Sequence, residues 1–471
     1  MIKKFLKYMV GNILALIIGF LSTIIITRMV SPTEMGKYSL FTTICNIIST
    51  FILLGFDQSY VRFFNEEKKA NISNLLRKSL LVPLSFGIII CILVLINYKW
   101  ISTYIVGEIS IWFIILFCIY ILTYIIFRIG LLHIRMKQKA TMYSVLSVLQ
   151  KLFFLIFAII FFKFYGSKYI ILVSAIVFAE VIVSFLAILF ERKDWFNFKR
   201  SKLNTPFIEM LKYSFPFVFS STITLLFQST DKLMLKYFTD YENIGIYAGA
   251  MNIVAVLNAF QAAFTTFWIP VAYEHYKNKP DDKDFFIRIN KYVAFLMLIM
   301  AISILLFKDF IVLFLGEKYR EAIFVFPFLV FMPIMYTISE TTVLGINFNK
   351  KSWYHVVISI ISLVTNFIGN YILIPIFNSK GAAISTGLSY IVFFICRTYF
   401  SKKNYNVKYE IKNFFVATVL VYLFAIYCSF NTFNIIMILF AFIVIIVNCL
   451  LYRDSLKNII ILAKKQNKSI K

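Results

Sequence analysis

The sequence predicts an all-α polytopic membrane protein, on three observations. Hydrophobic runs of roughly twenty residues recur along the whole chain, the length needed to cross a hydrocarbon core about 30 Å thick. The composition is 61% hydrophobic and only 15% charged, whereas a soluble chain is about 25% charged. Stretches rich in Lys and Arg alternate with stretches poor in them, as topology-setting loops do. Within lipid only helices and closed barrels satisfy the backbone. These runs are too long and continuous for barrel strands, which take about 10 residues of alternating polarity.

Taken in order, about fourteen spans are expected, near 8–30, 37–56, 79–98, 110–132, 142–163, 168–190, 207–230, 243–269, 292–315, 322–346, 353–376, 381–401, 411–430 and 433–452. The first follows Lys3, Lys4 and Lys7. Its apolar run is long and has no small-residue cleavage site, so it reads as a retained helix and not a signal peptide. Alternate loops then carry most of the basic residues, including Lys68, Lys69, Arg77, Lys78, Arg135, Lys137, Lys139, Arg192, Lys193, Lys199, Arg200, Lys202, Lys350 and Lys351, and the C-terminal tail is Lys-rich. The intervening connections are short, such as Asn431–Asn434. The positive-inside rule then places both termini in the cytoplasm, and richness in Ile, Phe, Lys, Asn and Tyr is compatible with an AT-rich bacterial genome, hence a bacterial inner membrane.

The net charge of +26 is thereby used as a topology signal, not as a nucleic-acid footprint. Six Cys all fall in apolar runs without metal spacing and read as small buried hydrophobes. The three His (133, 275 and 355) stand apart in the sequence, so no catalytic residue and no metal ligand is assigned. No GxxxxGK motif supplies a phosphate loop. Trp100, Trp268 and Tyr452 sit where interfacial anchors are expected. Pro216, Pro270, Pro327, Pro333 and Pro375 mark candidate kinks.

An internal repeat is expected. Thr27-Arg28-Met29-Val30 leads through Pro32 and Glu34 to Gly36-Lys37-Tyr38; Thr230-Asp231-Lys232-Leu233 leads through Tyr241 and Glu242 to Gly245-Ile246-Tyr247. The two lie about six spans apart, an even offset that makes parallel repeats. Residues 1–200 would form an N-terminal lobe of six helices, 201–404 a second such lobe, and 405–471 two more helices and a basic tail.

Charge within hydrocarbon costs about 2.5–3.5 kcal/mol or more, so each intramembrane charge is a functional candidate. Arg28 and Asp231 are expected at span ends. Arg62 follows the polar interruption Gly55-Phe56-Asp57-Gln58-Ser59-Tyr60, and Arg128 stands near the end of span 4. Lys151 and Glu180 fall at similar depth in consecutive antiparallel spans, where they would pair or bind a coupling ion; Glu340 lies in span 10.

These residues together resemble the Wzx-type polysaccharide repeat-unit flippases of the multidrug/oligosaccharidyl-lipid/polysaccharide exporter superfamily. Ile24–Phe41 (IIITRMVSPTEMGKYSLF) is similar to that family's first-helix signature, and Gly55–Phe63 to the segment after its second helix. Ser214-Phe215-Pro216, Ser229–Leu235, Gly245-Ile246-Tyr247 and Phe264–Tyr273 resemble helices 7 and 8. Asn366, Asn370–Pro375 and Gly381–Thr386 resemble helices 11 and 12. One departure is Phe377-Asn378-Ser379-Lys380, which intervenes where the family often has Gly. The resemblance implies two six-helix lobes around a central cavity that opens alternately to each side. It also implies an undecaprenyl-diphosphate-linked oligosaccharide as substrate, moved to the outer leaflet for a polysaccharide polymerase to use. Arg28, Arg62 and Arg128 would then hold the diphosphate, since Arg binds phosphate through a planar fork. Asn46, Gln58, Asn252 and Asn258 would face the sugars. Asp231, Glu340, Lys151 and Glu180 are the candidates for ion coupling or intramembrane pairing, with Na⁺ or H⁺ as the ion and no bound cofactor. A drug/cation antiporter of the same superfamily, a peptidoglycan-precursor flippase and a membrane polysaccharide polymerase stay open as alternatives.

Overall fold

The computed structural model describes residues 2–197 and 205–457, and among these every regular element is helical. The chain divides into two compact units, Met1–Lys232 and Leu233–Lys471. The division expected at 200/201 lies outside the described residues, as do Lys199, Arg200, Lys202 and most of the basic tail. The observed division falls later, within a helix.

The first unit contains α1 (Ile2–Met29), α2 (Pro32–Ile52), α3 (Phe56–Phe63), α4 (Ile72–Ile96), α5 (Tyr98–Val106), α6 (Ile111–Met136), α7 (Ala140–Tyr165), α8 (Tyr169–Phe190) and α9 (Arg192–Trp195), and most of α10 (Phe207–Phe238). The second holds α11 (Tyr241–Asn278), α12 (Lys283–Leu306), α13 (Lys308–Val312), α14 (Ala322–Leu329), α15 (Phe331–Thr342), α16 (Leu344–Phe348), α17 (Trp353–Phe377), α18 (Ser379–Asn404), α19 (Ile411–Phe430) and α20 (Ile435–Leu451).

Among the described residues eleven helical runs, α14 and α15 counted together as Ala322–Thr342, are long and apolar enough to cross a membrane, and twelve if α2 and α3, bent by 52°, also count as one span. Two shorter apolar stretches, Ile13–Met29 and Ile435–Leu451, lie where the first and last of the fourteen spans were expected. The protein is therefore a multi-pass helical membrane protein. The expected span 10 corresponds to the run Ala322–Thr342, made of α14 and α15 together, with the short α16 after it. Pro216, Pro270 and Pro375 lie inside continuous helices.

The repeat is visible in the caps. Ser31 accepts from Glu34 N at the start of α2, and Asp240 accepts from Asn243 N at 2.9 Å at the start of α11. Glu34 and Asn243 each stand three residues after their cap. Glu34 Oε2 accepts from the backbone N–H of Tyr169, the first residue of α8, at 2.6 Å. Asn243 Oδ1 accepts in the same way from Ser379, the first residue of α18. Each is an acceptor at a helix N-terminus, where orphan amides need one. This register pairs Tyr38 with Tyr247 but moves Asp231 away from Arg28. The helix α1 ends at Met29, beside Arg28, whereas α10 runs on to Phe238, so Asp231 is an interior residue of its helix and not its end.

Close backbone approach holds each unit together. A Cβ on Gly381 would come within 2.2 Å of the Leu373 carbonyl, so only Gly lets α18 pack on α17 at this point.

Candidate functional site

The bend between α2 and α3 opens a cavity of about 370 Å³ inside the first unit. It arises because Leu54 and Gly55 take left-handed conformations (φ 47° and 72°). Gly55 also touches α10: a Cβ there would lie 2.4 Å from the Ser214 carbonyl oxygen. A side chain at 55 would therefore meet both backbone strain and a clash. After the bend, α3 carries Asp57 and Gln58 to the cavity wall; Tyr124 and Arg128 of α6, and Ser221, Thr224 and Gln228 of α10, face them.

One ion pair organises the wall. Arg128 Nη2 donates to Asp57 Oδ2 at 3.2 Å, and Gln58 Nε2 donates to the same oxygen at 3.0 Å. The Asp57 side chain is 11% exposed, whereas Arg128 is 45% exposed. Arg128 therefore stays anchored at one edge and presents its remaining guanidinium donors to open space. Hydroxyls and amides without net charge, together with the apolar Leu53, Phe217, Val218 and Leu225, complete the lining. Such a surface can hold a phosphate group at the cation and sugar hydroxyls around it.

The other expected residues are distributed differently. Arg62 is half-exposed on α3 and paired with Glu66 one turn on; it is not part of this lining. Arg28 is exposed at the end of α1, and Asn46 is exposed on α2; both lie off the cavity wall. Gln58 is in it. Asn252 and Asn258 are half-buried on α11 in the second unit. Asp231 is buried, not a solvated cap.

Glu180 has a hydrogen-bond partner, Gln150, beside the expected Lys151. Glu180 is fully buried and accepts from Gln150 Nε2 at 2.5 Å, while the neighbouring Lys151 is exposed. Adjacent helical residues point about 100° apart, so only one of the two can meet α8. Glu340 is paired with Arg397 of α18 at 2.8 Å, both nearly sealed from solvent. Arg397 was not singled out in the sequence, although it lies inside the expected span 381–401.

Sequence reasoning also missed a cluster at the end of α6 that carries His133. His133, Tyr60, Glu191, Asp194, Lys137 and Lys139 converge there. Lys137 and Lys139 pull the Glu191 carboxyl below its ordinary value, against the upward push of burial. The hydrogen bond from His133, then Lys137, hold Asp194 down at about 2, again against burial. Separation in sequence hid this group, since the three parts come from α3, α6 and the α8–α9 junction.

The first unit of this helical multi-pass membrane protein thus holds a cation-bearing cavity with polar walls. The chain is a member of the polysaccharide biosynthesis protein family, whose model matches residues 1–276. It is 24% identical over 423 residues to the capsular polysaccharide biosynthesis protein CapF of Staphylococcus aureus, across 86% of this chain and 100% of that protein. Its fold is similar to the lipid II flippase MurJ in an inward closed conformation (TM-score 0.72, 14% identity, 95% of this chain and 99% of that one). It is also similar to an inward-facing MATE-family multidrug resistance transporter (TM-score 0.63, 15% identity, 82% and 94%).

Proposed function

We propose that this protein is a flippase that moves undecaprenyl-diphosphate-linked oligosaccharide repeat units from the cytoplasmic to the outer leaflet by alternating access. The observation that carries this reading is the half-exposed Arg128, anchored by Asp57 in a cavity lined by hydroxyls, amides and a few apolar side chains. A diphosphate crossing low dielectric needs a fixed cation to offset its lost hydration. Arg128 supplies one without moving, because Asp57 already holds it and Gln58 in turn holds Asp57. The cavity is sized for the head group and first sugar; the polyprenyl chain stays in the surrounding lipid. Membership of a polysaccharide biosynthesis family and the fold likeness to a lipid II flippase support the same class. The role assigned from sequence to three arginines passes mainly to Arg128, since Arg28 and Arg62 lie off this cavity wall.

Both termini are placed in the cytoplasm by the basic-residue bias, and a polysaccharide polymerase is the consumer of the product. Ion coupling by Na⁺ or H⁺ is assigned to Glu180. Its Oε1 has no hydrogen-bond partner among the described residues, whereas Glu340 is neutralised by Arg397. The protein binds and moves its substrate without breaking a bond in it.

The test is the leaflet distribution of undecaprenyl-diphosphate glycans in cells depleted of the protein and complemented with wild type or Arg128→Glu. Complete units trapped on the cytoplasmic side in both the depleted and the Arg128→Glu cells are expected. Units that reach the outer leaflet normally but stay unpolymerised would replace this reading with the polymerase. No change in either would point to the drug/cation antiporter.

A further inference from the structure

The elements that form the cavity wall are joined a second time behind it. Asp57 and Tyr60 lie one turn apart on α3. Asp57 meets Arg128 of α6 in the cavity. Tyr60, fully buried, places its hydroxyl 2.6 Å from Nδ1 of His133, which is also on α6 and fully buried. The other ring nitrogen, Nε2, lies 2.9 Å from Asp194 Oδ2 in α9 and 3.7 Å from Glu191 Oε2. An ionised carboxylate only accepts, so His133 donates Nε2–H to Asp194. In the neutral imidazole Nδ1 is then the acceptor for the Tyr60 hydroxyl. Lys137 bridges both carboxylates, at 2.7 Å from Glu191, and Lys139 holds Glu191 as well. Two carboxylates face two ammonium groups, and the buried ring is bonded at both of its nitrogens.

The same three acidic and imidazole groups present ligand atoms within 4.8 Å of one another, as a metal site would. Here the lysines already occupy the carboxylates, so a metal would have to displace both. The network is better read as a strut. The short helix α3 needs one: it has only 8 residues, and isolated helices below about 12–15 residues are marginal. Its buried Phe56 and Phe63 attach it to the unit but apolar contact is non-directional. Directional bonds are required to fix its rotation, and rotation decides where Asp57 points.

We infer that His133 is a positioning residue of the binding cavity, which bridges Tyr60 to Asp194 and so fixes α3 where Asp57 can hold Arg128 toward the ligand. It touches no ligand itself and lies outside the cavity lining. The inference rests on the reading of that cavity as the ligand site.

The experiment compares full-length wild type, His133→Phe and His133→Gln in detergent. A Gln amide carries an acceptor and a donor at a spacing close to that of the imidazole nitrogens, so it preserves the bridge, while Phe fills the volume without it. Hydrogen exchange of residues 56–63 is read first. The Phe variant is expected to exchange about tenfold faster there, the scale of one or two lost hydrogen bonds, with α7 unchanged; Gln restores protection. Affinity for farnesyl diphosphate, a soluble isoprenyl diphosphate, is read second: about tenfold weaker in the Phe variant and near wild type with Gln. Unchanged protection of 56–63 in the Phe variant overturns the inference. So does a loss spread equally over α7 and α8 that Gln fails to repair, since that is a merely structural role. Failure of wild type to bind farnesyl diphosphate overturns the cavity reading instead, and the exchange of α3 still decides the role of His133. If the Phe variant does not fold, Tyr60→Phe removes a single hydroxyl from the same bridge and is scored by the same two readouts.

Discussion

Each unit contains an arginine paired with a carboxylate across two helices, and the two pairs differ in what surrounds them. In the second unit Arg397 and Glu340 are 6% and 4% exposed and 2.8 Å apart. Ser339 Oγ takes another guanidinium N–H at 2.6 Å, and the rings of Tyr336 and Phe393 lie 5.0 and 5.1 Å from the guanidinium carbon. In the first unit Arg128 is 45% exposed beside Asp57, with a cavity in front of it. The chemistry of the two pairs is alike; the access is not. A sealed pair cannot take a new anion without abandoning a buried charge, which makes it a clamp between α15 and α18. An open pair can keep its carboxylate and still offer donors to a ligand. Exposure to a cavity, more than the presence of intramembrane charge, separates a binding residue from a structural one.

The comparison can be broken at several points. The largest effect is expected from Arg397→Leu, which strands Glu340 and should cost about 3–5 kcal/mol. Thermal unfolding in detergent would show it, and the Glu340→Leu, Arg397→Leu double variant should recover most of the loss. If the single variant is as stable as wild type, the pair is not a clamp. Arg128→Gln, which keeps an N–H donor for Asp57 while removing the cation, should do the reverse, with unfolding close to wild type and transport at least tenfold lower, since one good charge-assisted contact is about 1.5–3 kcal/mol. Gly55→Ala should destabilise by about 1–3 kcal/mol, because it forces a side chain into a left-handed position against the Ser214 carbonyl. Expression level and unfolding temperature measure it.

Acid titration probes the strut. Asp194 has its carboxyl lowered from 3.8 to about 2 in the folded protein. A depressed carboxyl stabilises fully above its unfolded value, so this contribution is present above pH 3.8 and disappears as pH falls toward 2. Asp194→Asn should flatten that part of the stability curve between pH 4 and 2. The smallest effect belongs to Arg62→Glu. Its exposed pair with Glu66 contributes at most about 1 kcal/mol, and transport should stay near wild type. Loss of transport in that variant would return Arg62 to the ligand path.

The caps show how far a linear reading reaches. The Pro-Glu-Gly-x-Tyr connector was legible as a repeat, and Glu34 and Asn243 do play the same role at the first amides of α8 and α18. The alignment of Arg28 with Asp231 was not legible correctly, because it takes the end of an apolar run for the end of a helix. The helix α10 continues through Asp231 and Lys232 to Phe238, since a hydrogen-bonded backbone does not stop where hydropathy falls. Gln150 likewise takes the hydrogen bond to Glu180 while Lys151 acts on it only through its charge, a matter of helical phase that charge counting ignores.

By itself the sequence determined that this is a helical multi-pass membrane protein with a topological bias in its basic loops and a repeated connector. Those properties follow from the length of apolar runs and the cost of charge in lipid, which are local and additive along the chain. Only the tertiary structure decided which arginine faces a cavity, which is sealed, and that His133 joins α3 to α9. Those facts depend on helical phase, on the left-handed bend at Leu54–Gly55 and on contacts between residues more than sixty positions apart, and no local pattern records them.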